Sequence, residues 1–216
     1  MRKLSRAAAA GVFVAVVAVS SPGNVRADAG ATEVIGVVPV NASGQAINGF
    51  RVINRQASPD LSGCVRPSPA AVRDNIYACD PDQAAAQVCW PAPASVLCLV
   101  DPWSKTLRRF PSPGSLPAMN PPATPMPFAL RLDDGTPCVL PSGVDLGGRA
   151  DERFAAYFCG RGASSQGVLV DPGQDPASAI DRSKPVWTVR VGQLGPPLTP
   201  LGFLTQHNVT TAWFAA

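Results

Sequence analysis

The chain has 216 residues, 46% apolar and 15% charged, with 24 prolines, six cysteines, one histidine and a formal charge of +3. Four of its 18 basic residues (Arg2, Lys3, Arg6 and Arg26) and none of its 15 acidic ones precede Asp28, which leaves 14 basic against 15 acidic residues, a net of −1. A near-neutral chain with singly scattered charges has no basic face for nucleic acid, and so many prolines with so few charges exclude long regular helices.

Residues 1–27 read as an export signal. Arg2, Lys3 and Arg6 make a basic start, residues 7–19 an apolar run too short to cross a bilayer, and Val25-Arg26-Ala27 puts small residues at the two positions that a signal peptidase inspects. Cleavage is expected after Ala27, with no membrane span in the remainder and residence in a secreted or periplasm-like envelope space. No cysteine lies near the cut, which disfavours a lipid anchor.

Downstream, short apolar runs closed by turn residues predict strands over 34–40, 96–100, 128–132, 168–170, 186–191 and 209–214. Phe128, Leu130 and Leu132 alternate with Ala129 and Arg131, the pattern of a strand with one buried face. In the last run Val209, Thr211 and Trp213 oppose Thr210, Ala212 and Phe214. Both faces are apolar or β-branched, so this strand is expected between neighbours rather than at an edge. Helix is expected only as short pieces in loops, from Asp80-Pro81 through Gln87 and, more weakly, at Ser68-Pro69-Ala70-Ala71. The fold expected is mainly β: small disulfide-stapled sheets with short helices in the loops.

Seven prolines fall within residues 111–127. This stretch divides a β-rich half with four cysteines (28–110) from a β-rich half with two (128–216), as a linker between domains or as a crossover laid on one domain. Leu99-Val100-Asp101-Pro102 and Leu169-Val170-Asp171-Pro172 are identical, each Asp lying twelve positions after a cysteine. Two related halves and a shared strand-ending turn both account for the repeat.

Cys64, Cys79, Cys89, Cys98, Cys138 and Cys159 contain no Cys-x-x-Cys pair, and with a single histidine their wide spacings do not form a zinc site. A disulfide framework remains. Cys138 with Cys159 is the economical pairing of the second half, on adjacent strands. In the first half Cys64–Cys79 with Cys89–Cys98 competes with Cys64–Cys89 and Cys79–Cys98; the turn-prone run after Trp90 favours the former.

No catalytic, cofactor or metal motif stands out. Gly162 to Gly167 lacks nucleophile-elbow spacing, and Asp134-Gly135 is a hairpin signal rather than half of a carboxylate pair. His207 reads as a surface turn residue. A wall-polymer hydrolase would need it beside an acid such as Asp151 or Glu152. Among the four tryptophans, Trp187 and Trp213 read as strand core, whereas Trp90 and Trp103 fall in predicted loops and are the candidate partner-binding residues.

Cys89-Trp90-Pro91, Asp101-Pro102-Trp103, Asp134-Gly135-Thr136 with Cys138, Gly147-Gly148-Arg149, Tyr157 with Cys159, Trp187-Thr188-Val189 and Thr210-Thr211-Ala212-Trp213-Phe214 resemble a group of small exported proteins of mycobacteria and related actinobacteria. The likeness runs from Cys64 to Phe214, with Leu146 where the group would carry an aromatic residue. It implies export and disulfides and carries no activity. The reading is an exported, non-enzymatic binding or interaction module acting on an envelope or extracellular protein or polymer. The alternatives are a cell-wall-directed hydrolase or an inhibitor of a secreted hydrolase that places residues 111–127 or Gly147 to Arg149 in the target's cleft.

Overall fold

The computed structural model describes residues 30–53, 63–79, 86–112, 114–141, 148–160, 166–195 and 202–216. The expected export signal, most of the expected helix over 80–87, Leu146, Gly147 and residues 162–165 lie outside them. The protein is mainly β, its strands arranged in two sheets.

The first strand, β1 (Glu33–Val37), belongs to the larger sheet. The smaller sheet follows: β2 (Arg51–Ile53), β3 (Arg66–Pro67), β4 (Tyr77–Ala78), β5 (Cys89–Ala92), β6 (Ser95–Asp101) and β7 (Thr106–Pro111), in the order β2-β7-β6-β5-β4-β3. β5 and β6 form a tight hairpin because Pro93-Ala94, with Ala94 at φ +48°, reverses the chain. The sheet buries both faces. Val96, Cys98 and Phe110 pack under one face with Cys64, Tyr77, Cys79 and Cys89, whereas Trp90, Leu97 and Leu107 point from the other towards the second body.

The proline-rich run crosses the first of these faces. Leu116 and Met119 pack on it, the Tyr77 hydroxyl donates to the Pro117 carbonyl at 2.9 Å, and the Asn75 and Met119 amides fasten the two segments together. Extended proline-rich backbone has few internal partners, so such outside contacts define its path.

β8 (Ala129–Leu132), β9 (Pro137–Val139), β10 (Phe154–Cys159), β11 (Gln166–Val170), the two-residue β12 (Ile180–Asp181), β13 (Thr188–Gln193) and β14 (Thr205–Ala215) complete the larger sheet. Successive antiparallel pairings run β8-β9-β10-β11-β13-β14, and β14 also pairs with β8, so six strands close into a barrel. Closure removes their free edges. Leu130, Leu132, Tyr157, Val168, Val170, Val189, Val191, Val209 and Phe214 fill the interior. The hairpin between β8 and β9 turns at Asp134-Gly135, where Gly135 takes φ +83° and the Asp134 carboxylate accepts the Thr136 amide at 2.8 Å.

As expected, β14 lies between neighbours: antiparallel to β13 and β8, and parallel to β1 through Glu33↔Thr211 to Val37↔Ala215. Its faces differ from the simple alternation. A bulge between Val209 and Thr211 inserts one residue, so that Val209, Ala212 and Phe214 all face the barrel interior while Trp213 and Ala215 face the smaller sheet.

One helix expectation is corrected. Ser68 to Ala71 is a turn, not a helix: the Ser68 carbonyl and Oγ accept the Ala71 and Ala70 amides, and both alanines are buried. Four residues are too few to pay for a helix nucleus when a serine offers the backbone a local turn. The short 3-10 helix observed is Pro176–Ala179, capped by the Asp175 carboxylate on the Ala177 amide, the same Asp-Pro device that the sequence presents at Asp80-Pro81.

The disulfides are Cys64–Cys79, Cys89–Cys98 and Cys138–Cys159. Cys89 faces Cys98 across β5/β6 and Cys138 faces Cys159 across β9/β10 as direct register partners, with α-carbons 4.0 Å apart in each.

Candidate binding cleft

Where β14 and β1 meet the smaller sheet, a cleft of about 380 Å³ opens to solvent. Its barrel side is built by Ile35, Gly36 and Val37 of β1, Val38 after it, Arg131 of β8 and Trp213 of β14; its other side by Asn48, Phe50 and the turn residues Pro102, Trp103 and Lys105. Every element has a local reason to be there. The β14 bulge turns Trp213 outward. Asp101, ending β6, opens the turn that carries Trp103: its carboxylate accepts the Trp103 amide at 2.8 Å and the Ser104 hydroxyl at 2.7 Å.

The two indoles meet edge to face, ring centres 5.3 Å apart at 88°. Arg131, on the outward face of β8, lies over the Trp103 ring at 5.1 Å while donating to the Gly135 carbonyl at 3.2 Å. Lys105 sits 5.8 Å from the centre of the Phe50 ring and donates to the Asn48 carbonyl at 3.2 Å. Lys105 and Asn48 both hold left-handed backbone, at φ +52° and +55°. The ion pairs of the described residues involve Arg149, Arg153, Arg190 and His207, so both cleft cations stand without a carboxylate.

Of the two tryptophans assigned to partner binding, Trp103 lines this cleft. For Trp90 the loop placement is corrected: it lies in β5, is 4% exposed, and packs between the bodies with its indole N–H directed to the Ala216 carbonyl at 3.4 Å. Its flanking prolines suggested a loop, but β4 meets β5 only at Tyr77↔Cys89, so the strand's outer edge is open at Pro91 and needs no amide there. Trp187 stays with the barrel, edge to face with Phe214 and under the Arg182 guanidinium at 4.8 Å. Trp213, read as core, is only partly buried and shares the cleft.

The acids proposed for hydrolysis are not brought to His207. Asp151 pairs with Arg153 at 2.6 Å and Arg149 at 3.2 Å; burial pushes its carboxyl up, but those hydrogen bonds outweigh burial and hold it below the usual range. The ring of His207 instead lies 3.0 Å from Asp133 and 3.1 Å from the Thr205 hydroxyl. This line of groups fastens the β8–β9 turn to β14, since Asp133 also accepts the Asn208 amide at 3.1 Å and donates its own amide to the Asn208 carbonyl. None of the three lines the cleft. Asp133, Asp134 and His207 also offer ligand atoms within 4.8 Å of one another, yet both Asp133 oxygens and one Asp134 oxygen already accept hydrogen bonds.

Buried Arg149 has a structural role, joining the Gln193 and Gly202 carbonyls to Asp151. Among the described residues no helix is long and apolar enough to cross a membrane. Comparison with protein-family models, curated proteins and solved structures finds no match, so the site's own geometry carries the functional reading.

Proposed function

We propose that this protein is an exported, non-enzymatic binding module of the cell envelope or extracellular space, and that it binds through the cleft between its two bodies. The observation that carries the reading is the convergence of Trp103, Trp213 and Phe50 with Lys105 and Arg131 around one opening. Its volume falls in the range of small-molecule sites, which are concave, mainly apolar and furnished with a few placed polar groups. Export is supported by the amino-terminal signal and by three disulfides, which persist in oxidising compartments, and it agrees with the actinobacterial resemblance.

A hydrolytic reading draws on the Asp133–His207–Thr205 line. It ranks second because those side chains sit away from the cleft and Asp133 is occupied in anchoring a turn.

The test uses the chain after its signal, immobilised and loaded with fractionated envelope extract, the retained compounds being identified by mass. Compounds held by the wild type and by His207→Ala, but lost from Trp103→Ala, support the reading. Retention that survives Trp103→Ala combined with Arg131→Gln overturns it.

A further inference from the structure

We infer that the cleft takes a small amphiphile with one carboxylate, its apolar body between the indoles and β1 and its anionic end at Lys105 and Arg131. This rests on the reading of the cleft as the binding site and adds the class of ligand.

The lining decides against other classes. A neutral sugar needs side-chain acceptors as well as donors for its many hydroxyls, and Asn48 is the one carboxamide or hydroxyl side chain of the lining; with one N–H donated to the Val38 carbonyl at 2.8 Å it keeps a single N–H and its Oδ1 for them. A cationic ligand would meet two cations and, among the described residues that line the cleft, no acid. A neutral apolar ligand would leave unused the feature that distinguishes this opening: two cations on opposite sides, each resting on an aromatic ring, each donating to one backbone carbonyl and keeping donors to spare. Arg keeps four further N–H groups and Lys two, enough to hold a carboxylate from both sides by charge-assisted hydrogen bonds. Ile35 and Val37 from β1 supply an aliphatic wall beside the rings, which suits an alkyl or aryl body, and about 380 Å³ accommodates a medium-length chain and not a folded partner.

The experiment is calorimetric titration of the chain after its signal with dodecanoate, dodecanol and dodecylamine, each below its aggregation threshold, and with vesicles containing an anionic lipid. Dodecanoate is expected to bind at least tenfold more tightly than either other head group, to lose at least tenfold in the Lys105→Gln, Arg131→Gln double variant, and to lose as much in Trp103→Ala; unchanged melting temperatures verify that the variants fold. If all three amphiphiles bind alike and depend on Trp103, the carboxylate assignment is overturned while the cleft stands. Dodecanoate binding that ignores both Trp103 and the two cations overturns both readings. Binding to vesicles without binding to monomeric dodecanoate also overturns the inference, in favour of a membrane surface.

Discussion

Tyr157 shows what a single side chain does inside a small barrel. It is fully buried, its phenol pushed well up by burial, and its hydroxyl has no partner among the described residues. The ring therefore does the stabilising, by filling space. Tyr157→Phe is expected to change stability by no more than about 1 kcal/mol, and Tyr157→Ala to cost about 3–5 kcal/mol, read by denaturant unfolding. Across the wall, a β-carbon at Gly167 would lie 2.8 Å from the Tyr157 carbonyl oxygen, backbone that cannot step aside, so Gly167→Ala is expected to cost about 1–3 kcal/mol by the same measurement. Acid acts through other residues. Asp171 accepts from Arg190 and Arg153, Asp181 from Ser183, and Asp134 from the Thr136 amide, and each is held below the ordinary value of 3.8, as is Asp151. A depressed native value means that the unfolded chain binds more protons. The stability these groups contribute is thus full above the ordinary value and is lost as the pH falls through the lower native ones. Melting temperature is expected to hold from pH 7 to about 4.5 and to fall below about 4, less steeply in high salt because the carboxylates face water. A decline centred near pH 6 would contradict this.

At the scale of elements, disulfides and bulges place strands. The Cys138–Cys159 bond closes a loop of 21 residues by joining register partners on β9 and β10. Replacing both by serine is expected to cost about 3 kcal/mol, or about 6–12 °C in melting temperature for a domain of this size, by calorimetry. Much of this was legible in the sequence. The apolar runs punctuated by Asp, Gly and Pro gave strand positions, Asp134-Gly135 gave a hairpin, and the turn-prone run after Trp90 favoured the pairing found. The faces of β14 were not legible: counting by two from Val209 puts Trp213 on the same side, and one bulged residue reverses that. Nor was the addition of β1, a parallel pairing of residues 178 apart such as Glu33 and Thr211, for which local periodicity carries no signal. Trp90 misled because proline is excluded from central ladders but tolerated on an open edge. One residue of the candidate site, Trp103, was therefore found from composition and turn chemistry, whereas Trp213, Phe50, Arg131 and Lys105 needed the topology to bring them to it.

For the whole molecule, β14 is the seam. Its early residues close the barrel, its later ones pair with β1, and its last lie against the smaller sheet, where Ala215 exchanges hydrogen bonds with Ala70 and Val72. The apolar cluster that joins the bodies contains Trp90, Leu97 and Leu107 from one and Phe128, Ala129 and Ala215 from the other, and the cleft is the rim where that cluster reaches solvent. The cleft thus depends on both bodies being docked. The four tryptophans provide one indole N–H resonance each, from three places: Trp103 and Trp213 at the cleft, Trp90 between the bodies and Trp187 on the barrel. Recording these four resonances during titration with dodecanoate tests the account most directly. The account predicts that the Trp103 and Trp213 signals move together and saturate while those of Trp90 and Trp187 stay in place; saturable movement of Trp90 or Trp187 with Trp103 unmoved would contradict it.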